Sequence, residues 1–325
     1  MNYEIIATLG PGSAGEATWK EMIAVGVTRF RLNTSHLSLE QLHDWLGRIS
    51  RFYEVTGASL PVVLDLQGSK WRVGDFPAFD MAPGEPIRLF LGGKSRQAGA
   101  LPVPHADFFR AASAASRVIL LNDAKIRLEV QSFGENELTA QVVQGGRISA
   151  QKGITYQESE YRVEAISDKD RAIVEQTRQQ PWTRYAISYV RDAQEMGRYR
   201  QLFGPAAYLI AKLERGPALE EAGEIGRSAS ELWVCRGDLG AELGLPGMAR
   251  AVARLSERIG EMGAPVLMAG QVLEHMAQEP NPTRSEVCYL YDTLARGYRG
   301  FVLSDEVAIG KYPVQSCQAA AMFRD

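Results

Sequence analysis

Residues 231–240 read Glu-Leu-Trp-Val-Cys-Arg-Gly-Asp-Leu-Gly, and this stretch shows the pattern that decides the fold. A short apolar run ends in polar and glycine residues, and a helical pattern follows, with Pro246 suited to its first turn. Seven further runs have this character: Ile5–Leu9, Arg29–Leu32, Pro61–Leu64, Tyr185–Ser188, Tyr208–Ala211, Pro265–Met268 and Gly300–Leu303. Continuous apolar strands that alternate with helices predict an α/β fold with a buried parallel sheet, and eight of them predict a closed (β/α)8 TIM barrel.

One stretch interrupts this alternation. Between Val73 and Tyr156 the sequence has Gly/Pro clusters and short alternating runs, namely Pro86–Leu91, Arg117–Leu121, Ile126–Val130 and Leu138–Val143. Such runs predict a small β-barrel domain inserted after strand three. We therefore expect a catalytic barrel made of residues 1–72 and 157–325 and an inserted β-rich lid domain at 73–156. An insertion there leaves from the C-terminal face of the barrel, where active sites lie.

Composition narrows the class of protein. The 325 residues include 45% apolar and 23% charged residues and have a formal net charge of −3, which is ordinary for a soluble globular protein. That balance predicts neither nucleic acid nor a membrane surface as a partner. No apolar run approaches the ~20 residues of a membrane span, and the start of the chain is too polar for a signal peptide. The three cysteines show no metal or disulfide spacing, so we expect a cytoplasmic protein.

Polar side chains follow the predicted strands, at the end where barrel active sites form. They are Arg31, Asn33 and Ser35 after strand two, Asp65 after three, Ser188 after four, Lys212 and Glu214 after five, and Arg236 and Asp238 after six. In a barrel all of these converge on one mouth. Two carboxylates among oxygen-rich neighbours suit Mg²⁺. A lysine and an arginine beside such a metal suit phosphoryl transfer, which depends on positioning and charge neutralisation.

Each of these residues also has a purely structural interpretation. Lys212 and Glu214 alternate along a strand and point to one face, where a structural ion pair is common. Asp238 is well placed to cap a helix, and Asp65 alone is an ordinary loop residue. Their shared place at strand ends is what favours a functional site.

Longer motifs resemble those of the pyruvate kinase family. In chain order they are Ile6-Ala-Thr-Leu-Gly-Pro11, Arg31-Leu-Asn-Thr-Ser-His36, Asp65-Leu-Gln-Gly68, Ser188-Tyr-Val-Arg191, Ala211-Lys-Leu-Glu214, Arg236-Gly-Asp-Leu-Gly240 and Pro282-Thr-Arg-Ser-Glu286. The resemblance covers essentially the whole chain. It ends after Gly310-Lys-Tyr-Pro313, where the family's barrel ends, so it implies a barrel and lid without the C-terminal regulatory domain. We therefore expect a monomer or a homodimer.

The resemblance implies a role for each matching residue. Glu214 and Asp238 would hold Mg²⁺ or Mn²⁺, Lys212 would neutralise the transferred phosphoryl group, and Arg31 and Arg72 would contact phosphate oxygens. The remaining matches are substrate contacts (Gly237, Asp238, Gly270, Ser188), positions near the nucleotide (His36, Lys169, Asn33) and ligands of a monovalent cation (Asn33, Ser35, Asp65). Lys70 matches the lysine of family members that do not need K⁺, so we expect no K⁺ requirement.

Several positions depart from the family's pattern. Gly270 replaces a threonine that helps to hold the substrate carboxylate, and Ile309 replaces a lysine associated with nucleotide phosphate. Leu66 and Gln67 replace a threonine and a lysine, and the family's Asp-Val-Ala-Asn helix is replaced around Tyr289-Leu-Tyr-Asp292. The metal and lysine positions match, while the nucleotide and proton-handling positions are altered.

Three functions fit this combination. The first is pyruvate kinase-like, Mg²⁺-dependent phosphoryl transfer that involves phosphoenolpyruvate or a close analogue, with ADP or another small molecule as acceptor. The second is Mg²⁺-dependent chemistry on a pyruvate enolate without nucleotide, as in related barrel lyases and aldolases. The third is a non-catalytic paralogue that binds a ligand. Lys212 and the lid favour the first, whereas Gly270 and Ile309 favour the second.

Overall fold

The computed structural model describes residues 1–68, 71–97, 99–122, 124–157 and 166–324. The chain divides into two compact units. The barrel unit comprises Met1–Gly68, Ala165–Arg236 and Ala249–Asp325, and the inserted unit comprises Ser69–Glu164 and Gly237–Met248. The inserted unit begins before the predicted Val73, because the indole of Trp71 packs edge-on against Phe108 and Tyr156, with ring centroids 5.3 and 6.1 Å away.

Strands and helices alternate through the barrel unit. The strands of the chain are β1 (Glu4–Thr8), β2 (Arg29–Asn33), β3 (Val62–Leu66), β4 (Phe79–Met81), β5 (Pro86–Leu91), β6 (Ala100–Val103), β7 (Val118–Leu121), β8 (Ile126–Phe133), β9 (Glu137–Gln144), β10 (Gly146–Ile148), β11 (Ile154–Tyr156), β12 (Thr183–Ile187), β13 (Leu209–Leu213), β14 (Glu231–Cys235), β15 (Val266–Ala269) and β16 (Gly300–Leu303). The helices are α1 (Glu16–Ala24), α2 (Leu39–Thr56), α3 (Ala106–Ala111), α4 (Asp168–Thr177), α5 (Ala193–Phe203), α6 (Gly216–Glu220), α7 (Ala222–Ser228), α8 (Arg236–Ser256), α9 (Arg284–Ala295), α10 (Asp305–Ala308) and α11 (Pro313–Ala320). Short 3-10 helices span Pro11–Ser13, Thr34–His36, Ile259–Glu261 and Glu274–Ala277.

Eight parallel strands close the barrel in the order β1-β16-β15-β14-β13-β12-β3-β2. This confirms the predicted (β/α)8 fold, and each strand lies within one or two residues of its predicted run. Buried side chains fill the interior; they are Ile6, Val63, Ala186, Ile210, Trp233, Cys235, Leu267, Ala269 and Val302. Such a packed interior leaves the carboxyl ends of the strands as the place for a site.

Local signals fix the helix ends. Ser38 caps α2 by accepting from the N–H of Gln41, and the helix ends at Gly57, whose φ of 72° suits glycine. Helix α8 is broken at Gly244, with φ 66° and ψ 161°, so that Pro246 lies in the first turn of its second segment, as predicted. In the described ranges no helix combines the length and the apolar character that crossing a bilayer requires.

The inserted unit is rich in β-structure. A six-stranded sheet has the order β11-β7-β8-β9-β5-β6, and β10 pairs with β4. The predicted runs between Val73 and Tyr156 correspond to β5, β7, β8 and β9. Buried apolar side chains from both sheets form one core, in which Phe108 stacks on Tyr156 with ring centroids 4.6 Å apart.

A buried ion pair lies at the N-terminal end of the barrel. Arg29, at the start of β2, donates to Glu231 at the start of β14, with Nη1 and Oε2 2.6 Å apart. Tyr208 Oη and Trp233 Nε1 also donate to the Glu231 carboxylate, at 2.9 and 2.6 Å. Arg29 and Glu231 are both buried. The network lies at the end of the barrel where conserved interactions serve stability rather than catalysis.

We expect Glu231→Ala to lower the free energy of unfolding by about 3–5 kcal/mol, because it leaves Arg29 charged, buried and without this partner. Urea unfolding followed by circular dichroism measures the change. Glu224→Ala is the matched control, since Glu224 forms an exposed pair with Arg227 at 2.7 Å and exposed pairs contribute little. Equal destabilisation by the two substitutions would show that the buried network contributes no more to the free energy of unfolding than an exposed ion pair.

Candidate active site

A buried carboxylate, Asp65, gathers two cationic side chains at the carboxyl end of β3. Arg31 of β2 donates to Asp65 Oδ2 through Nε at 2.9 Å and through Nη2. Lys212 Nζ, from β13, lies 3.1 Å from Asp65 Oδ1. Burial alone would raise the pKa of Asp65, but Lys212 and Arg31 hold that pKa below its ordinary value. The aspartate is therefore ionised at neutral pH.

Lys212 is shared between two carboxylates. Its Nζ lies 2.9 Å from Glu214 Oε1, in addition to its contact with Asp65, and it donates to Ser188 Oγ at 2.9 Å. The predicted common direction of Lys212 and Glu214 is therefore confirmed. Burial would lower the pKa of Lys212, but Asp65 and Glu214 raise it above its ordinary value. The ammonium stays charged while almost fully enclosed.

The backbone at Tyr189 orients Glu214. The N–H of Tyr189 donates to Glu214 Oε2 at 2.7 Å, and Tyr189 has a φ of 61°, which is uncommon outside glycine. Strained backbone of this kind tends to occur at functional sites. Arg31, Lys212, Asp65 and Glu214 together form a charge-balanced cluster of two cations and two anions, and none of the four side chains is more than 11% exposed.

The first turn of α4 supports the loop after β3. Ser167 caps α4 by accepting from the N–H of Asp170 at 3.1 Å. The buried Asp170 carboxylate accepts from the N–H groups of Gln67 and Gly68, both at 3.1 Å. Gly68 has a φ of 62°, and a Cβ there would overlap the carbonyl oxygen of Ser188. The turn after β3 therefore requires glycine.

The loop after β2 is built around Asn33. Its Oδ1 accepts from the N–H of Ser35 at 3.2 Å and so caps the short helix Thr34–His36, at whose end His36 is exposed. Lys169 Nζ, predicted to lie near the nucleotide, donates to the carbonyl oxygen of Thr34 at 2.7 Å. Thr34 Oγ1 in turn donates to the Asp65 carbonyl at 2.7 Å. Sequence reasoning missed this link, since it joins residues distant in the chain.

The inserted unit contains three of the residues predicted to contact substrate or phosphate. The N–H of Arg72 donates to His105 Nε2 at 3.1 Å, and its Nη1 donates to the carbonyl of Gln151 at 2.8 Å. Gly237 and Asp238 lie in the first turn of α8, where backbone N–H groups suit an anion. Lys70, on which the prediction about K⁺ rests, lies outside the described residues. Within the described ranges, no three His, Cys, Asp or Glu side chains gather into a metal site.

Comparison with known proteins identifies the family. A family model described as pyruvate kinase, barrel domain, matches residues 1–317. The chain belongs to the pyruvate kinase family. It is 30% identical over 321 residues to a pyruvate kinase of Agrobacterium vitis and 31% identical over 330 residues to one of Methylorubrum extorquens. These matches cover 97% and 96% of this chain and 66% of each relative, so the chain spans about two thirds of their length.

At Gly270, the family's threonine position, the backbone conformation favours glycine. Gly270 has a φ of 83° and Gln271 a φ of 53°, both in the left-handed region. A β-branched residue at such a φ is strained. Arg236 donates to the Gly270 carbonyl through Nε at 3.0 Å and Nη2 at 2.6 Å. The glycine at position 270 therefore does more than remove the threonine side chain, because it also suits the left-handed backbone.

The loops after β15 and β16 share a buried carboxyl group. Glu306 accepts from the N–H groups of Ser304 at 2.9 Å and Leu273 at 3.3 Å. Burial raises the pKa of Glu306 to about 7, although these N–H groups oppose the rise. Ile309, three residues later, is 62% exposed and offers no positive charge at the family's lysine position.

The raised pKa of Glu306 predicts a pH dependence of stability. The folded chain binds this proton more tightly than the unfolded chain, so the contribution is complete below pH 4.5 and is lost as the pH rises to about 7. We expect it to amount to about 3 kcal/mol and to disappear in Glu306→Gln. Urea unfolding at several pH values measures it, with the exposed neighbour Asp305→Asn as control. The same pH slope in wild type and Glu306→Gln would contradict the assignment.

Proposed function

We propose that the chain catalyses pyruvate kinase-like phosphoryl transfer that depends on Mg²⁺ and involves phosphoenolpyruvate or a close analogue. The observation that carries the proposal is the Lys212 ammonium, held charged between Asp65 and Glu214 and beside Arg31. Phosphoryl transfer needs preorganised positive charge near the transferred group. A buried lysine with a raised pKa supplies that charge at every physiological pH.

The cluster is suited to exchange its internal ion pairs for a ligand. Lysine is a compact charge on a flexible stem, so Lys212 can turn from the carboxylates to phosphoryl oxygens. Arg31 has a planar guanidinium that fits two oxygens, so it can likewise exchange Asp65 for phosphoryl oxygens. Arg72 is a further proposed phosphate contact. We assign the ligand carboxylate to the backbone at Gly237 and Asp238, and Ser188 and Gly270 remain the other proposed substrate contacts.

The donor set fits a divalent cation. Glu214 is a hard oxygen donor whose carboxylate is already oriented by Tyr189, and Asp238 follows the neighbouring strand β14. Mg²⁺ takes one or two carboxylates and completes its shell with substrate oxygens. A bound Mg²⁺ or Mn²⁺ would supply charge that neutralises phosphoryl and enolate oxygens. Asp65 already has two protein cations, which supports the proposal that K⁺ is not required.

The positions proposed to contact the phosphoryl acceptor favour a molecule less charged than ADP. Ile309 provides no phosphate contact, and the Lys169 ammonium is bonded to the Thr34 carbonyl. His36, Lys169 and Asn33 remain the proposed nucleotide positions if ADP or ATP is used. We therefore propose that ADP is a poor acceptor and that another small molecule of the cytoplasm replaces it.

A second candidate is Mg²⁺-dependent lyase or aldolase chemistry on a pyruvate enolate, without nucleotide. Gly270 favours it, because a site without the threonine hydroxyl has lost one group of the proton-handling network. Lys212 favours phosphoryl transfer, because an enolate on Mg²⁺ does not need a second buried cation. A third reading, a ligand-binding paralogue without activity, predicts ligand binding with no turnover.

We expect wild type to transfer the phosphoryl group of phosphoenolpyruvate in the presence of Mg²⁺, and Lys212→Met to reduce turnover at least about 100-fold. The assay follows pyruvate release with ADP and with a panel of hydroxyl acceptors. Lys20→Met, on the exposed face of α1, is the matched control. Folding is checked by circular dichroism, since Lys212→Met leaves two buried carboxylates with less compensation.

Unchanged turnover in Lys212→Met would refute phosphoryl transfer by this lysine. Absence of transfer in wild type, together with Mg²⁺-dependent proton exchange at the pyruvate methyl group, would instead support the enolate reaction. Binding of pyruvate without either activity would support the non-catalytic paralogue.

A further inference from the structure

The loop that follows β15 has an unusual backbone. Gly270 and Gln271 are consecutive residues with φ angles of 83° and 53°, directly after the last residue of the strand. Glutamine in the left-handed region costs roughly 1–2 kcal/mol relative to the ordinary helical region. Neighbouring groups must therefore hold the turn in this conformation.

Arg236 holds both residues through their carbonyl groups. Its Nε and Nη2 donate to Gly270 O at 3.0 and 2.6 Å, and Nη2 also donates to Gln271 O at 2.7 Å. Arg236 follows β14 directly, and β14 is the neighbour of β15 in the barrel. One guanidinium thus fixes the loop of the adjacent strand, which its planar fork of donors makes possible.

Tyr289, on α9, in turn holds Arg236. The guanidinium carbon lies 4.4 Å from the centre of the Tyr289 ring, within the range of a cation–π contact. The Tyr289 side chain is half-buried, and burial raises the pKa of its hydroxyl. Tyr289 and Gly270 are both positions at which the sequence departs from the family's pattern. Arg236 contacts both, so the two departures form one structural unit.

We infer that Tyr289 is a positioning residue that acts through Arg236 to hold the turn at Gly270 and Gln271, and that this turn determines which ligands fit the substrate side of the site. The second part rests on the proposed function, which assigns Gly270 to the substrate. A threonine at position 270 alone would not recreate the family's site, because its side chain would meet a backbone that β-branched residues avoid. The element that determines specificity is the backbone turn held by Arg236, and Tyr289 acts on this turn only through Arg236.

The positioning role is tested by hydrogen exchange of the peptide that covers residues 266–273. In Tyr289→Ala, loss of the ring contact should speed exchange at Gly270–Val272 about three- to tenfold. Tyr289→Phe keeps the ring and should exchange like wild type. Tyr291→Ala is the matched control, because Tyr291 lies on the same helix and contacts Phe323, with ring centroids 5.3 Å apart. Equal exchange in Tyr289→Ala and Tyr291→Ala would overturn the inference.

The specificity role is tested by measuring the binding of phosphoenolpyruvate and of pyruvate by thermal shift in the presence of Mg²⁺. We expect Tyr289→Ala to weaken binding about three- to tenfold and Tyr289→Phe to rescue it. Where turnover is measurable, KM should rise while kcat changes less. Faster exchange with unchanged ligand affinity would refute the specificity role alone. A wild type that binds neither ligand would refute the proposed function, while the exchange experiment would still decide the positioning role.

Discussion

The ammonium of Lys212, shared between Asp65 and Glu214, is the interaction on which the rest of the site depends. A buried lysine is stable only if the surrounding anions compensate for the water it has lost. Two carboxylates on one lysine would leave excess negative charge, and Arg31 on Asp65 restores the balance. Because the cluster is charge-balanced without ligand, we expect an anionic ligand and a cation to bind to it together.

The surrounding loops fix the geometry of this cluster. Asp170 holds the turn after β3 through the N–H groups of Gln67 and Gly68. Tyr189 orients Glu214 from a strained backbone. Each of these two supports joins residues that are distant in sequence, so the site is set by the closed barrel and not by any one motif. The loop after β15 is held in the same manner, by Arg236 from the neighbouring strand.

Sequence pattern predicted the barrel well because each strand is short, apolar and punctuated at its end. It also predicted that Lys212 and Glu214 face the same way, since alternation along a strand is a local property. It did not reveal that Asp170 bonds the turn at Gly68, or that Lys169 contacts Thr34, because such pairs depend on three-dimensional packing. The left-handed turn at Gly270 was hidden for the same reason, although the glycine itself was a visible sign.

The charge balance of the cluster leads to one expectation that can be measured directly. Opening its ion pairs for an anion and opening them for a cation is the same rearrangement, so the two ligands should assist each other reciprocally. Calorimetric titration of Mg²⁺ with and without phosphoenolpyruvate measures this coupling. We expect phosphoenolpyruvate to raise the affinity for Mg²⁺ at least about tenfold in wild type and far less in Glu214→Gln. An affinity for Mg²⁺ that is the same with and without phosphoenolpyruvate would contradict it.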